Sequence, residues 1–144
     1  MDFQGTHEHT LDAKNRLTIP AGERHKFEDG VVIFEALEHC IELWTPRAWD
    51  DFALKTFLGR SRLSGDTRRL ERYFGRHSAR TMLDSAGRVL LSERQIAHAG
   101  LGRDVTLIGA STCFEVWDRA VADTLDDGHD ETIPELAERL AREG

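Results

Sequence analysis

The chain is written twice, and that duplication constrains its fold more than any other feature. Leu11-Asp-Ala-Lys-Asn-Arg-Leu-Thr-Ile19 aligns with Leu83-Asp-Ser-Ala-Gly-Arg-Val-Leu-Leu91 at an offset of 72 residues. Leu, Asp and Arg fall on identical positions, and aliphatic residues follow each Arg. Further on, Val32–Trp44 matches Val105–Trp117 at an offset of 73, with Cys40-Ile-Glu-Leu-Trp44 on Cys113-Phe-Glu-Val-Trp117. One inserted residue between the blocks accounts for the change. A small four-stranded unit buries too little apolar surface to stand comfortably alone. Two such units, packed or interleaved about a pseudo-twofold axis, would share one core and behave as a covalent dimer.

Each unit reads β-turn-β-α-β-β-α. Phe3–Thr10 and Ser78–Met82 are stretches compatible with strands entering a turn. Asp12 and Asp84 are turn residues whose carboxylates can accept backbone N–H bonds two or three residues on. Gly87 takes a positive φ without steric cost, and Asn15 at the matching position is the next most tolerant residue. Leu17-Thr18-Ile19 and Val89-Leu90-Leu91 are β-prone. Pro20 suits the first turn of a helix, and Ser92-Glu-Arg-Gln95 has capping-box spacing with Gly100 as its stop. Val31–Phe34 and Val105–Ile108 read as buried strands, and the Cys–Trp pentapeptides as half-buried ones. Thr45-Pro46 and Asp118 open a further helix in each unit. Between the units, Asp66–His77 reads as an arginine-rich helix, and Thr132-Ile-Pro-Glu135 caps a short exposed terminal one.

Composition narrows the function classes. No apolar run approaches the roughly 20 residues of a spanning helix, and no secretory leader is evident, so a membrane or secreted protein is not expected. Two cysteines cannot build a disulfide framework and fit a reducing cytosol. The net charge of −7 argues against an everywhere-basic nucleic-acid binder. Yet residues 60–80 carry seven arginines against Asp66 and Glu71, a net of +5. Residues 118–144 carry nine acids against three arginines, a net of −6. The acidity sits in the tail and the middle is basic. No nucleophile elbow, phosphate loop or zinc-protease motif is present, so no enzyme, cofactor or small-molecule substrate is expected.

Two β-units with a Leu-Asp-x-x-x-Arg turn in a chain of this length resemble the MraZ family, of the AbrB/SpoVT swapped-hairpin class of bacterial transcription factors. The likeness runs from Phe3-Gln-Gly5 to Phe114-Glu-Val-Trp117-Asp118. Asn15 stands where the family's first turn usually has Gly. The resemblance implies a mainly β, α+β fold, with two tandem swapped-hairpin units forming a pseudo-dimeric barrel. The expected division is 1–58 for the first unit, 59–76 for the connecting helix, 77–126 for the second unit and 127–144 for the acidic tail. It further implies a cytoplasmic, nucleoid-associated regulator of the division and cell-wall gene cluster, its own promoter included. Such proteins bind short repeated boxes in double-stranded DNA as ring-shaped homo-oligomers. The DNA-contacting residues carried over are Arg16 and Arg88, with Lys14 beside the first.

The chemistry of these residues agrees. An arginine on a rigid turn presents a planar fork that matches a guanine edge or two phosphate oxygens, and Lys14 supplies a point charge for phosphate. Asp12, Asn15, Asp84 and Gly87 are expected to shape the turns rather than touch DNA. From the residues alone, a purely structural Asp–Arg pair in each turn explains Arg16 and Arg88 equally well. The Arg60–Arg80 segment reads either as a DNA-backbone surface or as a solvated helix pairing with acids of the tail or a neighbouring subunit. His7 and His9 share a strand face without a third ligand in metal spacing, and a surface or interface role is expected. Cys40, Cys113, Trp44 and Trp117 read as core. Two other classes stay open: an AbrB-class antitoxin or autorepressor, and an interaction scaffold that binds no DNA. Internal duplication argues against the antitoxin, which normally has one unit per chain.

Overall fold

The two copies exchange strands. In the computed structural model, which describes residues 1–144, the first copy contributes β1 (Thr6–Thr10), β2 (Arg16–Thr18), β3 (Val31–Glu35) and β4 (Ile41–Trp44). The second contributes β5 (Ser78–Thr81), β6 (Arg88–Leu90), β7 (Asp104–Gly109) and β8 (Phe114–Asp118). The opening strand of each copy pairs with the third strand of the other: β1 with β7, and β5 with β3, all antiparallel. The remaining strands meet their own equivalents. β2 pairs β6 with Leu17 opposite Val89, and β4 pairs β8 with Glu42 opposite Glu115. Those two self-pairings mark the pseudo-twofold axis.

The result is mixed α+β, dominated by a six-stranded antiparallel sheet in the order β1-β7-β8-β4-β3-β5, with β2-β6 as a separate ribbon. The expected barrel is not closed. Its would-be edges, β1 and β5, lie at opposite ends of the sheet and make no pair with each other. The exchange consumes one edge of each, and three-residue β2 and β6 are too short to bridge the rest.

Alternation along the strands splits the core between the two faces of the sheet. Val31, Ile33, Ile41 and Leu43 join Leu17 and Val89 of the ribbon in a cluster of 17 buried residues. Val32, Phe34, Cys40, Trp44, Cys113 and Trp117 project to the other face, in a cluster of nine. This is why Val31–Phe34 is uninterruptedly apolar: both faces are covered.

The second face is covered unevenly. In the first copy, α1 (Pro46–Phe57) and α2 (Gly65–His77) lay Trp49 and Phe74 against Phe34, with ring centroids 4.8 and 5.2 Å away. Thr45 caps α1 by accepting from the Ala48 N–H at 3.2 Å, and Pro46 occupies its first turn. In the second copy, α4 (Arg119–Ala122) is a single turn, and α5 (Ile133–Glu143) follows with no buried residue. The sequence duplication therefore holds for the strands and fails for this helical layer.

Capping signals placed the other helix ends well. Ser92 and Gln95 close a reciprocal capping box on α3 (Glu93–Ala99), and Gly100 ends it at φ 60°. Thr132 and Glu135 do the same for α5. The helix expected after Pro20 is instead a 3-10 helix, Ala21–Phe27. Pro20 offers no side-chain acceptor at its cap, and Gly22 weakens the α-conformation.

Glu42 and Glu115 face each other across β4 and β8, each accepting from the indole N–H of the tryptophan two residues on, at 3.0 Å. Burial raises the Glu42 pKa; the Trp44 bond opposes this, and Glu115 and Glu38 add to it. An acid raised in the folded state favours folding when protonated, so its ionisation withdraws stability as pH climbs past about 4. Glu42→Gln keeps the acceptor for Trp44 and removes the opposed charge. The variant is expected to melt at a higher temperature than the parent at pH 7, with the difference vanishing near pH 4. A thermal melt at both pH values checks it, and a lower melting temperature at pH 7 would count against the opposed-charge account.

Candidate functional site

Both turns are built by one carboxylate doing the same work. Asp12 Oδ1 accepts the N–H groups of Lys14 and Arg16, each at 2.9 Å, while Oδ2 accepts Arg16 Nε at 2.7 Å. Asp84 repeats the pattern with Ala86, Arg88 and Arg88 Nε at 2.9, 2.9 and 2.8 Å. The chain turns through Asn15 at φ 61° and Gly87 at φ 75°, which brings the Asn15 and Gly87 N–H groups onto the Asp12 and Asp84 carbonyls at 3.0 Å. Both conformations are left-handed, which is why Asn substitutes for Gly here and larger residues would be strained.

These bonds set the charge state. Backbone donation from Arg16, with its side-chain bond and the Lys14 N–H adding, overcomes desolvation and holds Asp12 at about 2. Asp84 is lowered for the same reasons, through Arg88 and Ala86. A lowered carboxylate stabilises the turn fully above its unfolded value near 4. The Asp12 contribution is lost only as pH falls through about 2, so the turn carries an ionised carboxylate at neutral pH.

The ribbon brings the two turns together. Arg16 sits opposite Leu90 and Arg88 opposite Thr18, and the Ile19 and Leu91 N–H groups reach across to the Gly87 and Asn15 carbonyls at 2.9 and 3.0 Å. Arg88 Nη1 lies 3.9 Å from Asp12 Oδ2, so one carboxylate touches both motif arginines. In each guanidinium it is Nε that is tied to the aspartate. The Nη groups make no hydrogen bond within the chain. A structural Asp–Arg pair and a fork without hydrogen bonds thus coexist in the same side chain, the Arg88 fork standing within ion-pair reach of Asp12. Lys14 has its equivalent in Ala86, and its ammonium makes no ion pair, so the first turn carries one more free cation than the second.

The family profile described as "MraZ protein, putative antitoxin-like" matches residues 3–72 and 75–139, one match for each copy. The chain belongs to the MraZ family. It is 32% identical over 140 residues to a protein of Thermoanaerobacter pseudethanolicus named transcriptional regulator MraZ, covering 96% of both chains. A protein of that name from Mycoplasmoides gallisepticum is 31% identical over 138 residues, again 96% of both. The one from Acetivibrio thermocellus is 28% identical over 142 residues, 99% of both.

In this MraZ chain the fold adds a residue that motif reading missed. Arg24, on the 3-10 helix, donates Nε to the Ile19 carbonyl at 3.0 Å and lies against Gly87. A Cβ at Gly87 would run into the Arg24 side chain, so Gly87 serves close approach as well as φ. Nothing in the duplication flags Arg24, because the matching residue of the second copy is Ile96. The cluster therefore sets four cations, Lys14, Arg16, Arg24 and Arg88, against two carboxylates.

The Arg60–Arg80 segment is elsewhere. Its helix α2 packs through Tyr73 and Phe74 on Phe34, whose neighbours Val31 and Ile33 face the ribbon side. Alternate strand residues point to opposite faces, so α2 and the paired turns lie on opposite sides of the sheet. His7 and His9 share the inner face of β1, with His7 edge-on to Phe114 at 5.8 Å. Burial, with His7 and Arg119 adding, lowers the His9 pKa. No group of three or more His, Cys, Asp or Glu is arranged to hold a metal ion. Cys40 and Cys113 are buried free thiols, and burial beside Glu42 and Glu115 pushes both well above the ordinary thiol range. No helix is long and apolar enough to cross a membrane.

Proposed function

We propose that this chain is a transcriptional regulator that binds double-stranded DNA through the paired turns of the β2-β6 ribbon. One observation carries the reading. Two guanidinium groups on one short ribbon are each held through Nε by an ionised aspartate, and their Nη groups make no hydrogen bond within the chain. A planar fork held in one orientation reads a guanine edge or straddles a phosphate at little further entropic cost. In this account Arg16 and Arg88 are the contact residues and Lys14 takes a phosphate. Asp12, Asn15, Asp84 and Gly87 hold the turns in shape.

A negative protomer with few contacts gains from assembly. We infer that several copies form a ring-like homo-oligomer and engage short direct repeats together, since linked sites raise affinity by roughly 10²–10⁴ without new contacts. The names of the relatives support regulation of transcription; the target proposed here is the promoter of the division and cell-wall cluster, including the chain's own. That role would place the protein at the nucleoid. The acidic tail would then face away from the DNA.

Fluorescence anisotropy tests this with two labelled duplexes, one from upstream of the chain's own gene and one scrambled. Tighter binding to the first, weakening as salt rises through counterion release, is the expected result. Equal, weak binding to both duplexes would move the function to an interaction scaffold.

A further inference from the structure

The last helix has an apolar face and nothing to put it against. Ile133, Leu136, Ala137, Leu140 and Ala141 recur at helical spacing along one side of α5, and none of its residues is buried. Ile133 and Leu140 are 60% and 51% exposed. An isolated helix of this length is marginal in water, even with a capping box. Acids without a cation partner accompany it: Asp126, Asp127, Asp130 and Glu138. Arg139 pairs only with Glu131 and Glu143.

The complementary surface lies on the far side of the sheet from the DNA turns. Leu37, Leu70 and Tyr73 line an open groove of about 340 Å³ beside α2, with Asp66 and Arg69 at its rim. Leu37 is 73% exposed there. Along α2, Arg69, Arg72 and Arg76 stand at i, i+3 and i+7 with no ion pair or hydrogen bond from their side chains. Their neighbours are engaged: Arg62 with Glu71, Arg68 with the Arg62 and Leu63 carbonyls, and Arg80 with Asp50. An apolar groove with Arg69 at its rim, and Arg72 and Arg76 continuing the unpaired stripe along α2, matches an apolar helix led by free carboxylates.

We propose that α5 of one copy docks in the α2 groove of a second copy, with Asp126, Asp127 and Asp130 against the Arg69–Arg72–Arg76 stripe. The proposal rests on the self-association inferred above and names the surfaces that make it. One chain carries both surfaces without bringing them together. Because they differ, the contact is head-to-tail, and repeating it generates a ring or an open filament. It leaves the paired turns of every copy uncovered.

Mass measurement by light scattering after size exclusion tests it on the full chain and two variants. One lacks residues 128–144, which contribute nothing to the core. The other carries Leu70→Asp and Arg72→Glu at exposed positions of α2. The full chain is expected as a multimer and each variant alone as a monomer. Their equimolar mixture is expected to form a one-to-one dimer, since one partner supplies the groove and the other the tail. That dimer should dissociate as salt is raised. A truncated chain that keeps the full chain's mass would overturn the docking and leave self-association standing. A monomeric full chain would overturn both. A mixture that stays monomeric would also overturn the docking, as expected if the tail closes on its own groove. Whether the paired turns themselves contact DNA is read separately, by the anisotropy titration.

Discussion

Replacing Arg16 and Arg88 together by alanine is expected to erase the preference for the promoter duplex over the scrambled one. Each lost base-reading contact costs about 1–3 kcal/mol, and in a multivalent assembly the loss recurs in every engaged copy. The combined effect is at least a hundredfold in affinity, while the fold persists. Both side chains are about 30% exposed and contribute nothing to either buried cluster. Each removal does leave a carboxylate without its Nε partner, but that carboxylate still accepts two backbone N–H groups. The paired lysine substitutions separate charge from geometry. They keep two cations and lose the planar fork, so salt-dependent binding to both duplexes is expected to survive without discrimination. Promoter affinity in the double alanine variant equal to that of the parent would overturn the assignment of these residues.

The second large effect is on stability. Phe114 is fully buried at the start of β8, where it pairs Leu43 on one side and Gly109 on the other. Its ring contacts Phe3 at 4.7 Å between centroids and lies edge-on to His7. Phe114→Ala is expected to cost about 3–5 kcal/mol, from lost burial and the cavity left behind. That is a large share of the 5–15 kcal/mol typical of a domain. Phe3 is the partner most exposed to the loss, since the N-terminal segment is anchored by that ring and by its bridge to Ser111. β1 leads straight into the first turn, so the loss should loosen the Asp12–Arg16 hairpin before the second. Urea denaturation measures the stability change. A loss below about 1 kcal/mol would mean the site collapses and refills. The matching residue of the first copy, Ile41, is also fully buried.

Much of the turn chemistry was legible because it is local. Asp12 to Arg16 and Asp84 to Arg88 close their bonds within five residues, so residue type and spacing determine them before any tertiary contact forms. The same holds for the capping boxes at Ser92 and Thr132 and for the left-handed positions at Asn15 and Gly87. The duplication, read as offsets of 72 and 73 residues, also specified a pseudo-twofold arrangement with a shared core.

What only the tertiary structure decided is every choice between partners distant in sequence. Strand propensity says that β1 and β5 are strands, but the exchange that pairs Thr6 with Ile108 and Phe34 with Ser78 depends on which combination buries both sheet faces. The same long-range packing left the sheet open, set Arg24 against Gly87, and put the arginine-rich α2 across the sheet from the turns. It also gave two equivalent copies unequal helical cover, because α1 finds Phe34 and Phe74 to pack against whereas α4 ends after one turn. Hydrogen bonds within a turn depend on a handful of neighbouring residues. Pairings across about a hundred residues depend on the apolar surface the whole chain can bury at once, and no short window of sequence contains that information.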